Sequence, residues 1–132
     1  LIEDKMTTNN NVEKTTFGYI VTWVKTETYL GKIMVFDKQG GKTPIYFNQN
    51  ATKSWFINSG KFKVSYINTQ EGKLYEQEMT EGSVFHAPPC MPAGLELLSQ
   101  EGSISQISDK DDKEDRLYLS EAVLEVEKSP FV

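Results

Sequence analysis

Short runs of β-branched and aromatic residues recur along the chain, and no stretch sustains apolar residues at 3.6-residue spacing over three turns. The pattern predicts strands over 17–24, 29–37, 43–48, 53–58, 62–68, 73–79, 84–87, 95–99 and 103–108. Between them Gln39-Gly40-Gly41-Lys42, Asn58-Ser59-Gly60-Lys61, Gln70-Glu71-Gly72-Lys73 and Gln100-Glu101-Gly102-Ser103 place glycine where tight turns need positive φ. So many short strands joined by glycine corners predict an all-β antiparallel barrel or sandwich.

The ends read differently. Residues 1–14 are polar and rich in Thr and Asn, an arm expected to gain order from a neighbour. Residues 109–116 form a mixed-charge run, expected to be a solvated loop, and it lacks the glycine of a calcium loop. Beyond it, 117–126 fits a strand or a short helix capped by Ser120, with strand preferred. At 132 residues the chain fits one domain. The expected organisation is an arm over 1–14, a barrel over 15–108, and an acidic loop and extension over 109–132 that packs on or beside the barrel.

The formal charge of −5 opposes a phosphate-backbone partner, so nucleic acid is not expected. No apolar run is long enough to cross a bilayer, and Leu1-Ile2-Glu3-Asp4-Lys5 has no signal-peptide core, so no membrane partner is expected. A soluble protein, cytoplasmic or part of a viral particle, is the expectation. The single cysteine, Cys90, permits no internal disulfide and no thiolate zinc cluster. It reads as a structural thiol, since the single histidine, His86, would be its only base. Asn50-Ala51-Thr52 fits the N-glycosylation pattern without a secretory signal beside it. Glu76 and Glu78 share a strand face and read as solvated carboxylates in preference to paired acids.

Two segments carry a resemblance. The stretch from Gly41 to Gly60 has the spacing of the first cupin motif, and Gly82-Ser83-Val84-Phe85-His86-Ala87-Pro88-Pro89 resembles the opening of the second. Phe17-Gly18-Tyr19, Leu30-Gly31-Lys32-Ile33 and the 112–116 run are similar to segments of mannose-6-phosphate isomerase type II cupins, which occur as sugar-phosphate isomerase or guanylyltransferase tail domains. The resemblance implies a double-stranded antiparallel β-barrel, the cupin or jelly-roll fold. It also implies metal ligands, and at those positions this chain has Tyr46 and Asn48 (or Phe47 and Gln49), then Lys53 and Ala93. An ammonium has no lone pair to give. At roughly 4 Å and an effective dielectric near 20 it opposes a divalent ion by about 8 kcal/mol. The metal-dependent chemistry of the superfamily is therefore expected to be lost, with no cofactor and no catalytic residue.

Alternation sends Lys53, Trp55 and Ile57 to one face, with Tyr46 and Asn48 before them and Phe62, Val64 and Tyr66 after. Two readings follow. Either these rings pack the interior shut, or Tyr46, Trp55 and Tyr66 form a stacking wall with Asn48 and Lys53 orienting a sugar or sugar phosphate. His86 is counted with this candidate pocket, but its preferred reading is structural, with pocket lining next. Turns at 49–52 and 90–93 are expected to rim the open end. The leading expectation is a non-catalytic, metal-free binding or assembly module that forms a homo-oligomer, a dimer or higher. The alternative is a metal-independent carbohydrate-active enzyme or a sugar-phosphate or nucleotide-sugar binding domain using Lys53 to hold phosphate.

Overall fold

Burial with a period of two shapes the longer inner strands: in Lys53–Ser59, Lys53, Trp55 and Ile57 are buried while Phe56 and Asn58 face solvent. The structure, a computed structural model, describes residues 11–111 and 113–119. Its strands are β1 (Val12–Lys14), β2 (Gly18–Lys25), β3 (Leu30–Phe36), β4 (Tyr46–Asn48), β5 (Lys53–Ser59), β6 (Phe62–Asn68), β7 (Lys73–Met79), β8 (Val84–Ala87), β9 (Ala93–Leu97), β10 (Gly102–Ser108) and β11 (Arg116–Tyr118). All pairings are antiparallel, in a six-stranded sheet of order β1-β2-β3-β10-β5-β8 and a five-stranded sheet of order β11-β4-β9-β6-β7.

The fold is all-β, as expected, but neither sheet closes into a barrel. The two sheets face each other, and the core lies between them. Phe36, Ile57 and Ile104 from the first, with Phe17 just before β2, meet Phe62, Val64, Leu95 and Leu97 from the second. Phe36 and Phe62 touch edge to face with ring centroids 4.9 Å apart, and Phe17 stacks on Phe36 at 4.1 Å. Such contacts combine area burial with favourable quadrupole geometry.

β1 escapes the sequence pattern and β11 meets only the start of the strand expected at 117–126; neither alternates. β1 is exposed at all three positions and β11 is largely exposed. Both are short strands at sheet edges, held by ladder bonds to β2 and to β4. The last described residues of the arm thus extend one sheet, and the start of the extension completes the other. Residues 1–10 and 120–132, which hold the rest of the arm and of the expected strand at 117–126, lie outside the described residues. Among the described residues no helix is long and apolar enough to cross a membrane.

Candidate functional site

The interior changes character along its length. On β10 the inward residues run Ile104, Gln106, Ser108; on β5 they run Ile57, Trp55, Lys53; and on β3, Phe36, Met34, Lys32. Register aligns these series, placing Gln106 between Lys32 and Trp55, and Ser108 beside Lys53. Lys32, Asn48, Lys53, Gln106 and Ser108 are all buried, so one end of the interior is polar.

Lys53 is 2% exposed, with its Nζ 3.7 Å from the centroid of the Tyr46 ring and 5.1 Å from that of Trp55. A cation over a ring face in a desolvated setting gains about 2 kcal/mol or more. Trp55 donates its indole N–H to Gln106 Oε1 at 2.8 Å. Asn48 donates through Nδ2 to Asp115 Oδ1 at 2.9 Å, and the other oxygen of that carboxylate accepts from the Asn50 and Ala51 amides at 2.7 and 3.1 Å. Asp109 likewise accepts from Thr52 N at 2.8 Å. The 109–116 run is thus more than a solvated loop, because two of its acids cap the 49–52 turn. The 90–93 turn meets the end of β4: Cys90, with φ of 68°, donates its amide to the Asn48 carbonyl at 2.7 Å.

Tyr46, Asn48, Lys53 and Trp55 therefore share the interior. Tyr66 is half-buried, with its ring 5.3 Å from Phe85 and 5.5 Å from Tyr75, and Phe85 in turn stacks on Trp55 at 5.6 Å. His86 is placed elsewhere. It pairs with Ser54 on the outer face and shares a 2.6 Å hydrogen bond with the Ser54 hydroxyl, so it does not line the interior. The reason is register: Lys53 opposes Ala87, so the inward residues of β8 are Phe85 and Ala87. Glu76 and Glu78 are exposed and pair with Lys63 and Lys61 at 2.8 and 3.2 Å.

Sequence reasoning missed Lys32, Gln106, Phe85 and Arg116. The alternation that places Met34 and Ile104 inside also places Lys32 and Gln106 there, so that signal was present. Arg116 had none, because its position depends on β11 pairing with β4. Its Cζ lies 4.3 Å from the Tyr46 ring centroid and 5.9 Å from that of Tyr118. Of the six expected pocket residues, Tyr46 alone lines a cavity of about 250 Å³ that opens between β1, β3 and β11.

No known family profile matches the chain, and no curated protein matches its sequence. Solved structures do. The capsular polysaccharide assembling protein CapF from Staphylococcus aureus superposes with a TM-score of 0.73 at 14% identity, over 83% of this chain and 34% of that one. Oxalate decarboxylase from Bacillus subtilis gives a TM-score of 0.73 at 14% identity, over 92% of this chain and 34% of that one. The chain thus spans about a third of the length of these proteins. Both are cupin-fold proteins, and at this identity the likeness speaks to architecture: the chain has the cupin, or jelly-roll, fold.

Proposed function

We propose that this chain is a metal-free, non-catalytic binding domain built on the cupin fold. The observation that carries the reading is Lys53, a buried ammonium seated over Tyr46 inside the fold. The residues at the superfamily's ligand positions do not fit a metal ion. Tyr46 turns its ring to two cations, Asn48 gives its amide to Asp115, and Ala93 has no donor atom. Among the described residues no group of three or more His, Cys, Asp or Glu side chains converges. Imidazole and carboxylate oxygens are what first-row divalent ions need, and an ammonium repels them.

The resemblance to the mannose-6-phosphate isomerase type II branch supports a sugar-derived ligand, and the fold shows what two of the shared glycines do. A Cβ on Gly31 would lie 2.6 Å from Val24 Cγ1 and 2.8 Å from the Trp23 ring; one on Gly18 would lie 2.1 Å from the Val35 carbonyl oxygen. Both glycines serve packing and say nothing of chemistry. The description of one structural neighbour as a capsular polysaccharide assembling protein adds saccharides to the classes worth testing.

Elemental analysis of protein purified without chelators tests the reading. The expected result is a substoichiometric content of every first-row metal, unchanged in Lys53→Met. A stoichiometric ion that stays with the folded protein would overturn it. A second reading, self-assembly, is favoured by Val12, Tyr19 and Trp23, which expose 52%, 38% and 59% of their surface on the β1–β2 edge. Light scattering after size exclusion should then show a dimer or larger species that Trp23→Ser weakens; a monomer at all concentrations would remove this reading.

A further inference from the structure

The outer faces of the two sheets differ in kind. On the five-stranded sheet Lys61 and Lys63 meet Glu76, Glu78 and Glu96 in ion pairs, as a solvated face does. On the six-stranded sheet, β2, β3, β5, β8 and β10 carry three charged side chains among them, Lys25, Lys32 and Lys53. Lys32 and Lys53 are buried on the inner side, and Lys25 stands at the end of β2, 3.3 Å from Asp111. The outward side of these five strands therefore presents no Asp, Glu, Lys or Arg.

Register sets what is there instead. Val21, Ile33, Ser105, Phe56 and Val84 lie side by side across the sheet, one from each strand. In the next row Ile107 lies between Gly31 and Ser54, and the Trp23 ring covers Gly31, where a Cβ would come within 2.8 Å of it. Trp23, Phe56, Val84 and Ile107 leave 44–59% of their surface open. The polar groups between them bond to one another: Ser54 with His86 at 2.6 Å, Asn58 Nδ2 to Ser105 Oγ at 2.9 Å, and Ser59 with Ser103 at 3.3 Å. Polar side chains that are already paired lose less when water is displaced, so this face can be covered at a lower cost than a charged one.

We propose that two copies of this chain pack back to back through this face as a symmetric dimer. The inference rests on the self-assembly reading and moves the contact from the β1–β2 edge to the face of the sheet. Charge favours a second copy as the occupant. Each copy carries a formal −5, so self-association needs a contact that keeps the carboxylates apart. Back-to-back packing stacks four sheets at roughly 10 Å spacing, which sets the two acidic outer faces about 30 Å apart, several Debye lengths. A twofold axis lays like face on like face, and here that opposes no like charges. Area agrees. Strands about 4.8 Å apart and rising about 3.3 Å per residue give the five strands a flat footprint of about 500 Å². Two such footprints bury about 1,000 Å² before side-chain relief is added, the size at which specific interfaces begin. Trp23 and Phe56 are the anchors of a type that carries most of the energy in such contacts.

Light scattering after size exclusion, on the full chain over a wide range of concentration, tests the proposal. The parent should be a dimer, and sodium sulfate should strengthen it by screening the repulsion between copies and favouring apolar burial. Phe56→Asp and Ile107→Asp should each raise the dimer Kd about a hundredfold, because each buries an unpaired carboxylate. Gln77→Asp, on β7 of the other sheet, should leave it unchanged. Circular dichroism matching the parent shows that each variant folds; both interface positions are exposed in the single copy. A dimer that Val12→Lys dissolves while Phe56→Asp and Ile107→Asp leave it intact overturns the proposal and keeps self-assembly through the edge. A monomer at every concentration overturns both, and quenching of its tryptophan fluorescence by soluble dextran would then give the face to a saccharide.

Discussion

The two ends of the space between the sheets are built on the same strands and obey opposite rules. At one end Phe36, Ile57, Phe62, Leu97 and Ile104 are fully buried and need nothing from one another but shape. At the other, Lys32, Asn48, Lys53, Gln106 and Ser108 are nearly as buried, and a buried polar atom is costly unless it meets a partner. Dispersion and area hold the first end; directional contacts such as Trp55 to Gln106 and Asn48 to Asp115 hold the second. In this chain the apolar packing that joins the two sheets gathers at one end and the polar groups at the other.

Substitutions sharpen this contrast. Phe62→Ala at the apolar end removes a fully buried ring that touches Phe36, and should cost about 3–5 kcal/mol in denaturant unfolding. Trp55→Phe keeps most of the volume but takes the donor from a buried Gln106 oxygen, and should cost about 1–3 kcal/mol. If Trp55→Phe proved as costly as Phe62→Ala, the two ends would not differ in kind. On the outside, Lys63→Met should cost about 0.2–1 kcal/mol, because its pairs with Glu76 and Glu96 are solvent-screened. The hydrogen bond to Glu76 is the main cause that raises the Lys63 value above the ordinary 10.5, with the nearby Glu96 charge a lesser one. Its contribution is thus fully present at neutral pH and is lost as pH climbs through that raised value. Unfolding curves of the parent and of Lys63→Met should converge there.

How far the sequence reaches differs between the same regions. Period-two alternation places Lys53, Trp55 and Ile57 inside with Tyr46 and Asn48, and the structure agrees. Strands β5 to β8 also lie where the pattern puts them, within a residue, because turns with glycine bound them. Strand β9 begins at Ala93, two residues before the expected start at 95, since Ala93 and Gly94 give no apolar or β-branched signal but pair with β6. The side that His86 faces was undecided for a related reason: a four-residue strand has no internal evidence for which of its alternate sets faces in, and only the pairing of Lys53 with Ala87 decides it. The 250 Å³ cavity was legible only in part: alternation places its Lys32, Met34 and Gln106 inside, but Lys14 and Arg116 lie more than 100 positions apart and reach it only through the edge strands β1 and β11.

Asp115 bears on any attempt to retrofit coordination chemistry. Its carboxylate holds Asn48 and the amides of Asn50 and Ala51 at once. Installing an imidazole at position 48 would strip one of those three ties and leave a negative charge short of a donor, before any ion had arrived to compensate. A single-residue route to a metalloprotein would pass through a less stable intermediate, so position 48, the interior lysine and Asp115 would have to be exchanged together.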